Sequence, residues 1–419
     1  MAQKDRLQQN DMTKIIDKRN SLSDLISPHR DIQKPIYNWH SFKHSYSKAL
    51  VDSLVKEFEL KKGAWVMDPF CGGGTTLLAC KEAGINSKGF DILPFSVFLS
   101  NVKTRDYNAK KLSAEKNKFC RNKKISIDIP SLMNIPIAKK AFSVTVRNEL
   151  IQIKQRIEEI DNSTIRDFYN LGMLSILESV SNTSKSGGFL RIIKKRIKAE
   201  KVKEGFINRI ESMISDVQEF NEAMKWKDID VSASLGDARE INTGRKYNAI
   251  ITSPPYPNRH DYTRIYSLEM LFDFVEDNDD LKRIRYETLR SHVEARKKFD
   301  STGYVKPAML NKLIKKVKKN GTNNPMVINM LEGYFEDMYL VIREMSKSLK
   351  DKGKIALVVS NVRFAGVNIT VDEILSEAGA QVGLKPKAIW IARYRGNSSQ
   401  QMKEYKRKPS RESIVVWEK

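Results

Sequence analysis

Residues 64–76 read Ala-Trp-Val-Met-Asp-Pro-Phe-Cys-Gly-Gly-Gly-Thr-Thr, an apolar run that ends in Asp68-Pro69 and passes through three glycines into a helical pattern at 75–83. A chain that leaves a buried strand and enters a helix within so few residues has few options. It builds an α/β unit, and the glycines let the backbone pass close to whatever binds at the strand end. The near-neutral parts of the sequence repeat this alternation. A helical spacing at 46–60 precedes the first strand, and 88–92 supplies the second. Further strands are expected at 231–235, 247–252, 354–360, 387–394 and 413–418, with helices near 330–349 and 371–378. No helical pattern separates the last two strands, which predicts an antiparallel pair at one edge. The expected fold class is α/β, a seven-stranded, mostly parallel sheet.

Two segments interrupt the alternation, and both are basic. The chain of 419 residues holds 74 Lys and Arg against 51 Asp and Glu, a net charge of +23. The excess is uneven. Residues 101–230 carry 26 basic against 17 acidic groups, 281–321 carry 13 against 3, and 391–411 carry 7 against 1, whereas 231–280 are acidic at 5 against 9. Such blocks are either solvated helix faces or an electrostatic footprint for phosphates. Periodic stretches at 139–160, 164–180 and 191–224 make 103–230 a helical insertion. A second basic insertion spans 281–321, includes Lys312-Leu-Ile-Lys-Lys-Val-Lys-Lys319, and is expected to be helical with a loop at 319–325. Residues 1–35 read as a polar N-terminal segment.

Composition excludes other classes. At 40% hydrophobic residues the chain is too apolar for a disordered tail. No run approaches the ~18–20 apolar residues of a membrane span, and the polar N-terminus lacks a signal-peptide core. Cys71, Cys80 and Cys120, with five scattered histidines, offer neither a disulfide framework nor zinc-ligand spacing. An intracellular protein with a polyanionic partner and no metal is expected.

The glycine loop suits neither of two common nucleotide sites. A Walker loop needs a lysine before its Ser or Thr, and a dinucleotide fingerprint needs a later third glycine. Phe90-Asp91 ends the next strand, where a carboxylate can accept hydrogen bonds from ribose hydroxyls. Asp237 follows the third strand, where it could meet an adenine amino group; either acid can instead be a turn cap. The other motif, Thr252-Ser-Pro-Pro-Tyr-Pro257, follows an apolar strand. Two prolines fix its backbone, so that Ser253 Oγ and the Pro254 carbonyl can point at a single amino group, and Tyr256 offers an aromatic face to a base drawn out of its stack. A plain proline-rich turn is the alternative. Arg259, His260, Asp261 and Arg264, just downstream, either grip phosphates or pair with one another at a helix start.

Together, Asp68-Pro-Phe-Cys-Gly-x-Gly-Thr-Thr76 and Ser253-Pro-Pro-Tyr256 resemble the DNA amino-methyltransferases of bacterial restriction–modification systems, which methylate cytosine N4 or adenine N6 with S-adenosylmethionine. The Ser-led form of the second motif looks like the N4-cytosine branch, since adenine enzymes more often begin it with Asp or Asn. The resemblance covers 36–102 and 231–419 and implies a class I methyltransferase (Rossmann-like) core. By it, Asp68, Phe70, Gly72, Gly74 and Thr75 would shape the methionine pocket, Asp91 would take the ribose and Asp237 the adenine. Residues 39–48 would close over the methionine carboxylate, and Ser253, Pro254, Pro255 and Tyr256 would form the catalytic set. Cys71, inside the cofactor loop, would be a packing residue and not a nucleophile. Residues 393–402 and 411–417 look like the closing hairpin of the core. The implied partner is double-stranded DNA, with a cognate restriction endonuclease alongside, in the cytoplasm of a prokaryote and associated with its nucleoid. Related readings are adenine N6 methylation, methylation of an RNA amine, and an inactive DNA-binding protein. In one respect the chain departs from the family, whose members with this glycine loop commonly place it after the Pro-Pro-Tyr motif. Here it comes first, which leaves 103–230 as the expected target-recognition region.

Overall fold

The computed structural model describes residues 13–121, 126–322, 324–396 and 408–419. Its centre is an eight-stranded sheet: β1 (Ile15–Asp17), β2 (Trp65–Asp68), β3 (Asn86–Asp91), β4 (Val231–Leu235), β5 (Tyr247–Thr252), β6 (Leu349–Ser360), β7 (Lys385–Arg395) and β8 (Ser410–Glu418). The spatial order is β1-β7-β8-β6-β5-β2-β3-β4. β8 runs antiparallel to both neighbours, and every other pairing is parallel. All seven expected strands are present, and the α/β class I methyltransferase arrangement holds.

Alternating side chains of these strands feed two separate cores, because successive residues of a strand face opposite sides. Met67, Ile250, Ile355, Leu357, Ile389 and Val415 pack under the helices Ala308–Asn320, Met326–Ser348 and Val371–Gln381. Val66, Ala249, Ile251, Val358, Trp390 and Ile414 pack on the opposite face against Leu50, Val51 and Leu54 of the helix Lys48–Glu57. Ser47 caps that helix by accepting from Leu50 N. A third core joins the insertion to the rest: Trp39 and Phe95 share it with Phe168, Tyr169 and Phe206.

Three expectations need correction. The segment 1–35 is not merely a polar leader, since Ile15–Asp17 adds an eighth strand outside β7. The antiparallel pair β7–β8 is therefore internal to the sheet and not its edge. The insertion 103–230 is not wholly helical: a two-stranded hairpin, Thr183–Ser186 with Phe189–Ile192, stands between the expected helices at 164–180 and 191–224, and the second of these begins only at Glu200 and runs to Ala223. In the 281–321 block, the helices Asn278–Glu287 and Ala308–Asn320 flank a long loop. Residues 397–407, between β7 and β8 and including part of the expected 393–402 segment, lie outside the described residues, as does part of the expected 319–325 loop. No helix among the described residues is long and apolar enough to cross a membrane.

Candidate active site

From β2 the chain winds to β3 and β4 on one side, and then returns to place β5 on the other. Ligands bind at such a reversal, outside the carboxyl ends of the strands. The glycine loop leaves β2 and the Ser-Pro-Pro-Tyr turn leaves β5, so two motifs far apart in sequence become neighbours. Asp68 ties them together. Its Oδ1 accepts from Thr252 Oγ1 at 2.6 Å and from Phe70 N at 3.1 Å, and its Oδ2 accepts from Thr76 Oγ1 at 2.7 Å. Tyr46 Oη also reaches Oδ2 at 3.4 Å. Burial pushes this carboxyl above the usual range, against the pull of those donors. Asp68 thus acts as a buried clamp, with both oxygens engaged by the protein.

A mostly apolar cavity opens above this clamp. Phe42 and Tyr46 close it from the N-terminal side, Phe70 and Thr75 from the glycine loop, and Asp91 from the end of β3. Asp91 Oδ2 accepts from Gly72 N at 3.0 Å and Oδ1 from Leu93 N at 2.9 Å. Burial nevertheless pushes its carboxyl up to about 6. Gly72 has φ +48°, and a Cβ there would fall 2.9 Å from the Phe42 ring. Gly74, at φ +77°, lies behind the cavity wall as the N-cap of the helix Thr75–Glu82, where a Cβ would meet Ser100 at 3.0 Å. Cys71 is buried, with its thiol pushed well up by burial.

Asp237 is not brought to this cavity. Its two oxygens form a fork with Arg239, Nε to Oδ1 at 2.9 Å and Nη2 to Oδ2 at 2.6 Å, and the same buried guanidinium pairs with Asp337. Residues that sequence reasoning missed stand there instead: Thr288, Leu289, Ser291 and His292, from the loop of the second basic block. No local motif marks them.

A second, wider cavity adjoins the first, and Ser253, His44 and Tyr262 line both. At this junction Ser253 Oγ donates to the Val358 carbonyl at 3.1 Å, which leaves its lone pairs for an incoming donor. Tyr256 Oη lies 3.4 Å from Ser253 Oγ and donates to Glu412 Oε1 at 3.1 Å. Burial, reinforced by Glu412, holds the Tyr256 phenol well above its ordinary value, so it stays protonated. Glu412 is almost fully buried and also pairs with Arg393 and Arg395. It was missed as well, although an acid among the inward positions of β8 is a signal in itself. Pro254 faces the second cavity and Pro255 the first. Downstream, Asp261 and Arg264 pair with each other and with Arg285 and Glu294 at the start of a short helix. His260 lines the wider cavity, its basicity lowered to about 4 by burial.

A family model described as DNA methylase matches residues 6–101. Over 94% of its length the chain is 31% identical to Type II methyltransferase M.BsoBI of Geobacillus stearothermophilus, covering 88% of that protein. The chain belongs to the N4/N6 family of DNA amino-methyltransferases. Type II methyltransferase M.AvaI of Nostoc sp. is 29% identical over 94% of this chain and 89% of its own length. M.MjaII of Methanocaldococcus jannaschii is 38% identical over 89 residues, 21% of this chain and 16% of that protein.

The methyl donor of this methyltransferase is S-adenosylmethionine, and the first cavity suits it. Among the described residues its wall carries Asp68, Asp91 and the rings of Phe42, Tyr46, Phe70 and Tyr262, and no lysine or arginine. Such a wall favours a cation with hydroxyl groups over a phosphate. Ser45 Oγ and Thr75 Oγ1, 2.9 Å apart at the helix start, can donate to the cofactor's carboxylate.

Proposed function

We propose that this methyltransferase transfers the methyl group to the exocyclic N4 amine of cytosine at a specific site in duplex DNA, as the modification partner of a restriction endonuclease in a prokaryotic cytoplasm. The observation that carries the reading is the position of Ser253-Pro-Pro-Tyr256, at the junction of the cavity walled by the glycine loop and a wider one open to a base. The Ser-led motif favours cytosine. Ser253 Oγ, oriented by the Val358 carbonyl, and the Pro254 carbonyl accept hydrogen bonds from the amine and direct its nitrogen lone pair at the methyl group. Tyr256 supports the base by stacking. S-adenosylmethionine supplies a methyl already activated on a positive sulfonium, so alignment of the amine is the main demand on the chain. In this reading 36–102 and 231–419 carry the chemistry, and 103–230 and 281–321 hold the DNA. Modification-sensitive sequencing of DNA from cells expressing the protein tests it. A mark on cytosine N4 at one short site is expected. A mark on adenine N6 would overturn the base assignment, and methylated RNA beside unmodified DNA would overturn the substrate.

Glu412 fixes the Tyr256 hydroxyl as a donor. Glu412→Gln is expected to lower kcat about tenfold, the order expected when a hydrogen bond loses its charged partner, with KM for the cofactor unchanged. Glu412→Ala should lose more than Glu412→Gln; steady-state kinetics on both variants would check this.

The helix Ala308–Asn320 buries Leu310, Ile314 and Val317 and presents Lys312, Lys315, Lys316, Lys318 and Lys319 to solvent. It packs beside the hairpin Val362–Phe364 and Val367–Ile369, which leaves the carboxyl end of β6, the same end of the sheet as Ser253. Reversing Lys315, Lys316, Lys318 and Lys319 to Glu should weaken DNA binding. The salt slope should flatten by about 0.9 for each lysine that meets a phosphate, with cofactor affinity unchanged in titration calorimetry.

A further inference from the structure

The hairpin at 183–192 reaches the catalytic turn. Its two strands, Thr183–Ser186 and Phe189–Ile192, are joined by Gly187-Gly188, and Gly187 lines the wider cavity. A Cβ on Gly188 would fall 2.6 Å from a ring carbon of His260, and the Gly188 carbonyl accepts from Asp261 N at 3.3 Å. The tip is therefore pressed onto the residues that follow Ser253-Pro-Pro-Tyr256. The foot is held firmly. Lys185 forms a buried ion pair with Glu269, which also meets His40 Nε2 at 3.0 Å, and Lys43 Nζ donates to the Lys185 carbonyl at 2.6 Å. Leu190 turns inward to the helical core. On the other face of the same strand, Phe189 is 55% exposed beside the exposed Arg191, with Lys194 and Arg196 exposed just beyond.

A large aromatic left in solvent near exposed cations in the sequence, two residues from a glycine that lines the wider cavity, fits the gap in a DNA duplex. We infer that this hairpin is the wedge that holds the duplex open: Phe189 fills the space vacated by the target base and stacks on its neighbours, while Arg191 and Lys194 meet the flanking phosphates. The inference rests on the proposed duplex-DNA reading, in which the base must leave the helix. Unstacking costs a few kcal/mol per step, and an inserted apolar side chain offsets part of that cost.

The test uses the full-length protein, S-adenosylmethionine and short duplexes carrying the site found by sequencing. In one duplex the target is paired, and in the other it faces an abasic position. Phe189→Ala is expected to lose about 10- to 100-fold in kcat/KM on the paired duplex, from the size of base–aromatic stacking, and to approach the wild-type rate on the abasic one. Phe189→Leu should lie between. Recovery on the abasic duplex also shows that the variant is folded. Equal loss on both duplexes, or no loss on either, would overturn the wedge. A wild type inactive on both would instead remove the duplex-DNA reading, and the wedge with it.

Discussion

Ser253→Ala should leave a folded protein that binds S-adenosylmethionine normally but turns over about 100- to 1,000-fold more slowly. The side chain is small and half-buried, and its one firm contact is the donation to the Val358 carbonyl, so its loss disturbs little packing. What disappears is a preorganised acceptor for the substrate amine. Removing one such oriented group from an active site typically costs a factor of about 10²–10³ in kcat. Single-turnover kinetics with saturating cofactor isolates the effect. A loss confined to KM would mean that Ser253 only binds the base and does not orient it.

The second large effect belongs to cofactor affinity. Asp91 is the carboxylate at the first cavity that keeps an exposed edge, whereas Asp68 is fully engaged by the protein. Asp91→Asn should weaken S-adenosylmethionine binding about 10- to 100-fold, the range expected for losing a hydrogen bond to a charged acceptor. The wild type carries a matching pH signature. Burial holds Asp91 at about 6 in the free protein, and its ionised form is the stronger acceptor for the ribose hydroxyls it is proposed to hold. Affinity should therefore fall as pH drops through 6, by up to about tenfold per unit below it, and the Asn variant should lack this dependence. Titration calorimetry between pH 5 and 8 would check both. The same shift has a stability consequence of opposite sign. Because the folded value lies above the unfolded one, ionisation of Asp91 removes stability from the cofactor-free protein as pH rises from about 4 to 6.

The sheet was legible because its strands are buried on both faces. Runs such as Tyr247–Thr252 are almost wholly apolar and bounded by turn residues, which ties length and type to sequence. β1 was not, since three residues carry no period. It exists because β7 offers an open edge, where Lys18 N donates to the Ile391 carbonyl and Lys18 Nζ stands 3.6 Å over the Trp390 ring. The hairpin of the insertion has strands of only four residues each, too short to show a period. Its only local mark is Gly187-Gly188 between two short runs, a hairpin signal that the neighbouring helical periods obscured.

Within the site, the placement of the glycine loop and the Ser-Pro-Pro-Tyr turn was readable because each is a local feature that follows its strand directly. Glu412 and the Thr288–His292 loop were not, because they arrive from 156 residues away in one case and through an unpatterned loop in the other. Asp237 illustrates the reverse error. Its place after a strand matched the pattern of a ligand-binding acid, but Arg239, two residues on, engages both of its oxygens.

The claim at the centre of this account is that Ser253-Pro-Pro-Tyr256 presents a cytosine amine to the methyl donor. Nucleoside analysis by mass spectrometry, on DNA incubated with S-adenosylmethionine and either wild-type protein or Tyr256→Ala, tests it directly. The account predicts N4-methylcytosine with the wild type and a level at least about tenfold lower with the variant. N6-methyladenine as the product, or N4-methylcytosine formed equally by both proteins, would contradict it.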